Sequence, residues 1–218
     1  MTAKTLAASR TNKLQRLFEL ASNQAGYFTA AQARGLGYSA RSLVHHVAAG
    51  HFERISRGFY RLVGVPADSH EDIIAAWLRF APRRAVVSHD TALTLYDLAP
   101  SRSHEIHLTL PRERRPRTAQ AATAVKLHTT TVPLRRDEVA DRFGVQITSP
   151  ARTIADVADI GADPSVIVEA TARALNAGLV SQNELSTAMK HRSARVQQLV
   201  QRAIEEAGAQ REYATPAA

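Results

Sequence analysis

Cysteine is absent from the 218-residue chain. A disulfide framework and any thiolate-bound metal are therefore excluded, and the composition fits a reducing compartment. Also missing is an apolar run approaching the roughly 18 residues that cross a bilayer, and the first residues lack the apolar core of a secretory signal. The expectation is a cytoplasmic protein without membrane contact. Lysine is scarce, four against 24 arginines, which together with the alanine content fits a GC-rich coding sequence rather than a particular function. With 44% hydrophobic and 22% charged residues, the chain is otherwise of ordinary globular composition.

The most informative scarcity is of acids. Residues 1–66 contain only Glu19 and Glu53, against nine basic residues: Lys4, Arg10, Lys13, Arg16, Arg34, Arg41, Arg54, Arg57 and Arg61. This third of the chain holds +7 of the formal +8, and the remainder, with 19 basic and 18 acidic residues, is close to neutral. Such an imbalance is the electrostatic footprint of a domain that sits on a polyanion such as DNA.

The same third has a helix, turn, helix and hairpin pattern. After a loose arm over Met1–Thr11, a first helix is expected from Lys13 to about Ser22, with Leu14, Leu17, Phe18 and Ala21 on one face. Gly26 stops it. Thr29 can cap a second helix running to Arg34, and Gly35-Leu36-Gly37 supplies the corner that follows. Ser39 then caps a third helix with Ala40, Leu43, Val44 and Val47 as its buried stripe, leaving Arg41, Ser42, His45 and His46 on or beside the outer face. Gly50 ends that helix, and strands over Phe52–Ile55 and Phe59–Val63 join through Ser56-Arg57-Gly58. This order makes a winged helix-turn-helix.

In such motifs the N-terminal part of the second motif helix enters the major groove. Ser39, Arg41, Ser42 and His45 are thus the expected base readers, with His46 beside them. Arg54, Arg57 and Arg61 on the wing are the expected contacts to phosphates or to the minor groove.

Residues 64–70 read as a linker. A helix over Glu71–Phe80, a strand over Ala85–Ser88 and a helix across Thr91–Tyr96 follow. Strands are expected at Glu105–Leu110, with Ile106, Leu108 and Leu110 inward and Glu105, His107 and Thr109 outward, and at Val125–Thr129 and Phe143–Ile147. A helix begins at Pro150 and ends before Gly161. From Asp163 the pattern is helical: one helix to about Ala177, one capped by Ser181, and a last with Val196, Leu199, Val200, Ala203 and Ile204 as its stripe, before a disordered tail after Gly208. The expected fold is α+β: a winged helix-turn-helix domain over 1–66, a small mixed α/β unit over 67–160 and a helical C-terminal unit over 161–218.

Signals of catalysis are weak. Ser88-His89-Asp90 has hydrolase letters, but adjacent residues do not converge as a triad, and no GxSxG elbow accompanies them. The structural role expected there is Ser88 as a helix cap and His89 partly buried. His104 and His107, three apart by a strand, face opposite sides, and no HExxH occurs, so neither metal nor cofactor is expected. The net +3 run Pro111–Arg117 is a connector or a second phosphate contact. Arg152 and Asp156 can form an exposed i,i+4 pair worth about 0.3–0.5 kcal/mol, acting as an interdomain brace. None of the four lysines has an acid two residues before it, as a restriction-type nuclease would require, and the Gly-Ser turn and D-x-D pair of a nucleotidyltransferase are missing. A third alternative, a winged module that binds protein, differs from a DNA binder in its salt dependence.

Phe28–Leu62, with LGYS before the third helix and then HFERISRGFY, resembles the N-terminal domain of AbiEi-type antitoxins of bacterial type IV toxin–antitoxin systems. SHDTALTLYDL (Ser88–Leu98) and ITSPARTIADVA (Ile147–Ala158) are similar to signatures that follow that domain, so the resemblance spans roughly residues 13–160. It implies an autorepressor that binds double-stranded DNA at its own promoter and counteracts a nucleotidyltransferase-like toxin, with or without direct contact. A homodimer on DNA is compatible with it. The resemblance carries no residue motif across to the helical segment after Gly161, and the same first two-thirds also occur fused to nuclease-like domains.

Overall fold

The computed structural model describes residues 3–66, 68–100, 103–116 and 125–214, and the side chains of those within 12–208. Two compact units form. The first comprises 1–82 with 141–145, the second 83–140 with 146–218. The helix after the linker therefore groups with the N-terminal unit, past the boundary expected at 66. The C-terminal helices share a unit with the α/β segment, across the boundary expected at 160.

The first unit runs α1 (Ala3–Ser22), β1 (Tyr27–Thr29), α2 (Ala30–Gly35), α3 (Ala40–Ala48), β2 (Phe52–Ser56), β3 (Phe59–Leu62) and α4 (Glu71–Phe80). The expected loose arm is helical from Ala3 onward. Nothing between Ala3 and Ser22 breaks a helix, for neither Gly nor Pro occurs there. Of its expected apolar face, Leu17 and Ala21 are fully buried, while Leu14 and Phe18 are about half exposed. β1 was not anticipated; it makes an antiparallel sheet of order β1-β3-β2, with Phe28 opposite Tyr60 and Phe52 opposite Leu62. Leu17, Phe28, Leu43, Phe52 and Tyr60 form the core. The Phe28 ring meets Phe52 edge-on at 5.1 Å and stacks on Tyr60 at 5.6 Å.

The second unit contains β4 (Val86–Val87), α5 (His89–Leu95), β5 (Ile106–Pro111), β6 (Val125–Thr130), β7 (Val139–Arg142) and β8 (Val145–Thr148) apart from their residues within 141–145, α6 (Pro150–Asp159), α7 (Pro164–Asn176), α8 (Gln182–Met189) and α9 (Ala194–Ala214). Its sheet has the order β6-β5-β4-β8-β7. β4 is antiparallel to β5 and parallel to β8, and β5 is parallel to β6. Phe143, expected to open a strand, lies instead in the β7–β8 turn with φ +50, followed by Gly144 at φ +75. Residues 141–145 group with the first unit, and there the Phe143 and His70 rings stack at 4.4 Å. The expected outward face of β5 is buried as well: His107 is 1% and Thr109 3% exposed. α9 continues past Gly208 to Ala214, so the expected tail is helical that far, and residues 215–218 lie outside the described residues.

Arg152 and Asp156 do pair, at 2.8 Å, but the pair is not exposed. Arg152 also reaches Glu138 at 3.0 Å, while Arg192 bonds Asp156 at 2.6 Å and also bonds Asp159. The network thus runs along α6 through Arg152, Asp156 and Asp159, and joins that helix to Glu138 and to Arg192 in the segment before α9, inside the second unit. Among the described residues no helix is long and apolar enough to cross a membrane.

Candidate nucleic-acid interface

The corner that aims α3 is built from local hydrogen bonds. Thr29 caps α2 through a reciprocal box: the Gln32 N–H donates to Thr29 Oγ1 at 3.2 Å and the Thr29 N–H to Gln32 Oε1 at 2.8 Å. Gly37, at φ +86, takes the left-handed conformation that the turn requires. Its carbonyl accepts from the Lys13 ammonium at 3.0 Å, which ties α1 to the turn. Ser39 then caps α3, its hydroxyl accepting from the Ser42 N–H at 3.0 Å.

α3 buries a narrower stripe than its sequence suggested. Leu43 is buried and Val47 packs beside it, but Ala40 is exposed and Val44 is 66% exposed. Arg41, Val44, His45 and Ala48 share one exposed face at i, i+3, i+4 and i+7. Ser39 is exposed and Ser42 half-buried at the N-terminal turn of that face. His46 points elsewhere. Its ring stacks on Phe52 at 4.6 Å, and its Nδ1 lies 3.2 Å from Nδ1 of His51.

The wing separates its three arginines. Arg54 and Arg57 are exposed and form no ion pair among the described residues. A bulge between Arg54 and Ser56 breaks the alternation of β2, and Gly58 makes the turn at φ +76 with its carbonyl accepting from the Ala30 N–H at 2.8 Å. Arg61 is half-buried. It pairs with Glu71 at 3.4 Å, donates to the Val65 carbonyl at 3.2 Å and lies 5.5 Å from the Tyr27 ring centre. Its charge is thus partly answered within the unit, whereas those of Arg41, Arg54 and Arg57 face outward.

The hydrolase letters of the second unit do not assemble a nucleophilic site. The Ser88 hydroxyl lies 2.9 Å from His89 Nδ1 and 2.7 Å from the Thr109 hydroxyl, but Ser88 is wholly buried. Asp90 approaches His107, at 4.0 Å, rather than completing a relay through His89. Ser88 does occupy the N-cap position of α5, yet its side chain makes no capping bond.

Residues 15–63 match the family model described as transcriptional regulator, AbiEi antitoxin. That segment runs from within α1 to the end of β3 and contains every residue of the α3 face and of the wing. A crystal structure of the RV2827C protein from Mycobacterium tuberculosis has a similar fold, with a TM-score of 0.57, 14% sequence identity, and coverage of 88% of this chain and 75% of that one. No curated protein matches the chain. The family match supports a DNA-binding antitoxin role.

Proposed function

We propose that the chain is a DNA-binding antitoxin of a type IV toxin–antitoxin pair, which represses its own operon through the winged helix and counteracts a nucleotidyltransferase-like toxin. The observation that carries this reading is the outer face of α3. Arg41 and His45 stand exposed on a helix capped at Ser39, within the third of the chain that holds +7 and matches the antitoxin-regulator family.

Arg41 would bond a guanine edge bidentately, with Ser39, Ser42 and His45 reaching base edges or phosphates. Val44, outward where a core position was expected, suits apolar contact with a thymine methyl. Arg54 and Arg57 would hold phosphates or enter the minor groove. His46 and Arg61, packed on Phe52 and paired with Glu71, would brace α3 and the wing rather than read sequence. The proposed action requires no catalytic step, and a homodimer would fit a palindromic operator. A reporter driven by the promoter of the chain's own operon should fall in output when the chain is expressed, and growth should be restored to cells expressing the neighbouring toxin. Unchanged reporter output would overturn the repressor reading, and absence of rescue the antitoxin reading.

A further inference from the structure

Three histidines far apart in sequence converge inside the second unit. His89 begins α5, His107 lies on β5 and His128 on β6, and one ring nitrogen from each falls within 4.8 Å of the others. The parallel pairing of β5 with β6, which sets Thr109 opposite His128, delivers the two strand residues. His89 arrives by an unusual backbone: φ is +53, a left-handed conformation that a non-glycine residue adopts at a cost and that collects at functional sites.

The outer nitrogens of the cluster have neighbours suited to orienting ligands. Nδ1 of His89 meets the Ser88 hydroxyl at 2.9 Å, which leaves its Nε2 as the atom to ligate, and Nδ1 of His107 lies 4.0 Å from the Asp90 carboxylate, near enough to be drawn in but not hydrogen-bonded. A carboxylate or hydroxyl on the far nitrogen is how metal-binding imidazoles are held and made more basic. Among the described residues, both nitrogens of His107 and Nε2 of His128 are buried without a hydrogen-bond partner. Such groups forfeit their hydration unless something occupies the space between them.

We propose that His89, His107 and His128 bind one divalent first-row transition-metal ion, zinc being the fitting occupant, with one coordination position left open to solvent. Imidazole donors without thiolate or carboxylate suit zinc and its neighbours rather than magnesium or calcium. Three protein ligands and an open position are the arrangement of zinc sites that hold an exchangeable water or anion. The open position would face a cleft of about 350 Å³, lined by His89 and His128 together with Thr109, Arg112, Arg152 and Arg192. The His89 and His128 rings stack nearly parallel, 3.6 Å apart, so metal binding must turn at least one ring for the lone pairs to converge.

The test uses the untagged full-length chain, stripped with chelator and titrated with Zn²⁺ and, separately, with Co²⁺ as a visible probe. One equivalent should bind, with the d–d absorption of low-coordinate cobalt bleached on addition of Zn²⁺. His128→Ala should weaken binding by about 100-fold or more, since even outer-shell changes at such sites cost 10–100-fold. A His46→Ala, His51→Ala double variant, which removes the other close imidazole pair, should leave binding unchanged. If His128→Ala fails to fold, imidazole nitrogen resonances of the wild-type chain decide: shifts on Zn²⁺ addition confined to His89, His107 and His128 support the site. Absence of saturable binding, binding unchanged in folded His128→Ala, loss of binding in the double variant, or shifts at other histidines would each overturn it.

Discussion

Arg41 and Arg57 carry the same charge on the same unit, but one lies in the first turn of α3 and the other at the wing turn. Arg41→Ala should therefore cost about 1–3 kcal/mol on the promoter and relax preference at one base position, while Arg57→Ala should weaken all sequences more evenly and lower the salt slope. Titrating both variants against promoter variants separates the two effects; equal and negligible losses would mean that this face meets something other than DNA. In the other unit, burial first, then His128 and His107, push the His89 pKa down to about 2, with Arg152 and Arg192 adding to the shift. Burial first, then His107 and Lys126, lower His128 to about 4. Burial also lowers His107, against the opposing pull of Asp90. In the metal-free protein these folded values lie below the unfolded value near 6.5, so the unfolded chain binds more protons between them. Stability is then fully present above about pH 6.5 and falls as the pH drops toward 4. His89 alone, 5% exposed, contributes a slope of up to about 1.4 kcal/mol per pH unit. Urea midpoints measured from pH 7 to 4.5 should decline, and a flat profile would mean that the cluster is not held neutral. These histidines could not be recognised as a group from the sequence, because His89, His107 and His128 meet only through the β4–β5 and β5–β6 pairings.

Elements whose ends are fixed by neighbouring residues were legible. Thr29, Ser39 and Ser181 each cap the helix the sequence assigned to them, and Asp163 accepts from the Ser165 N–H. The spacing of the apolar residues and the turn glycines placed α2, α3, β2 and β3 within a residue or two. Not every short strand was legible: β1 has three residues, too few to show a period, and exists because of a partner far along the chain, whereas the two-residue β4 lies within the strand expected over Ala85–Ser88. The α3 stripe failed at Val44 for a related reason, since four apolar positions define a face only when the neighbouring elements cover all of them. Thr29→Ala should cost about 0.5–2 kcal/mol by leaving α2 uncapped, readable as a lowered thermal midpoint with little change in the residual affinity of the folded fraction for DNA. Asp156→Ala should be harsher, since its side chain is 6% exposed and both Arg152 and Arg192 would lose their shared carboxylate. Removing one partner of a buried pair typically costs about 3–5 kcal/mol, so a loss within ±0.5 kcal/mol would show the network to be solvated.

Across the whole molecule the charge is partitioned much as the chemistry is. The +7 lies in residues 1–66, and the near-neutral remainder holds the five-stranded sheet, the buried ion network and the histidine cluster. The winged helix was readable because its signals are local and its charge excess needs no tertiary knowledge. The joining of the α/β segment and the C-terminal helices into one unit was not, because it depends on helix packing that no single segment encodes. If the functions divide as the charge does, triple substitution of Arg41, Ser42 and His45 to Ala should abolish repression while leaving rescue from a co-expressed toxin intact. Joint loss in a folded, equally abundant variant would show that rescue acts through DNA binding. The most direct measurement of the central claim is the affinity of the full chain for a labelled fragment of its own promoter and for a random duplex of equal length, across roughly 50 to 200 mM salt. The prediction is a clear preference for the promoter and an affinity that falls by orders of magnitude over that range. Equal affinity for both duplexes, or binding that does not respond to salt, would contradict it.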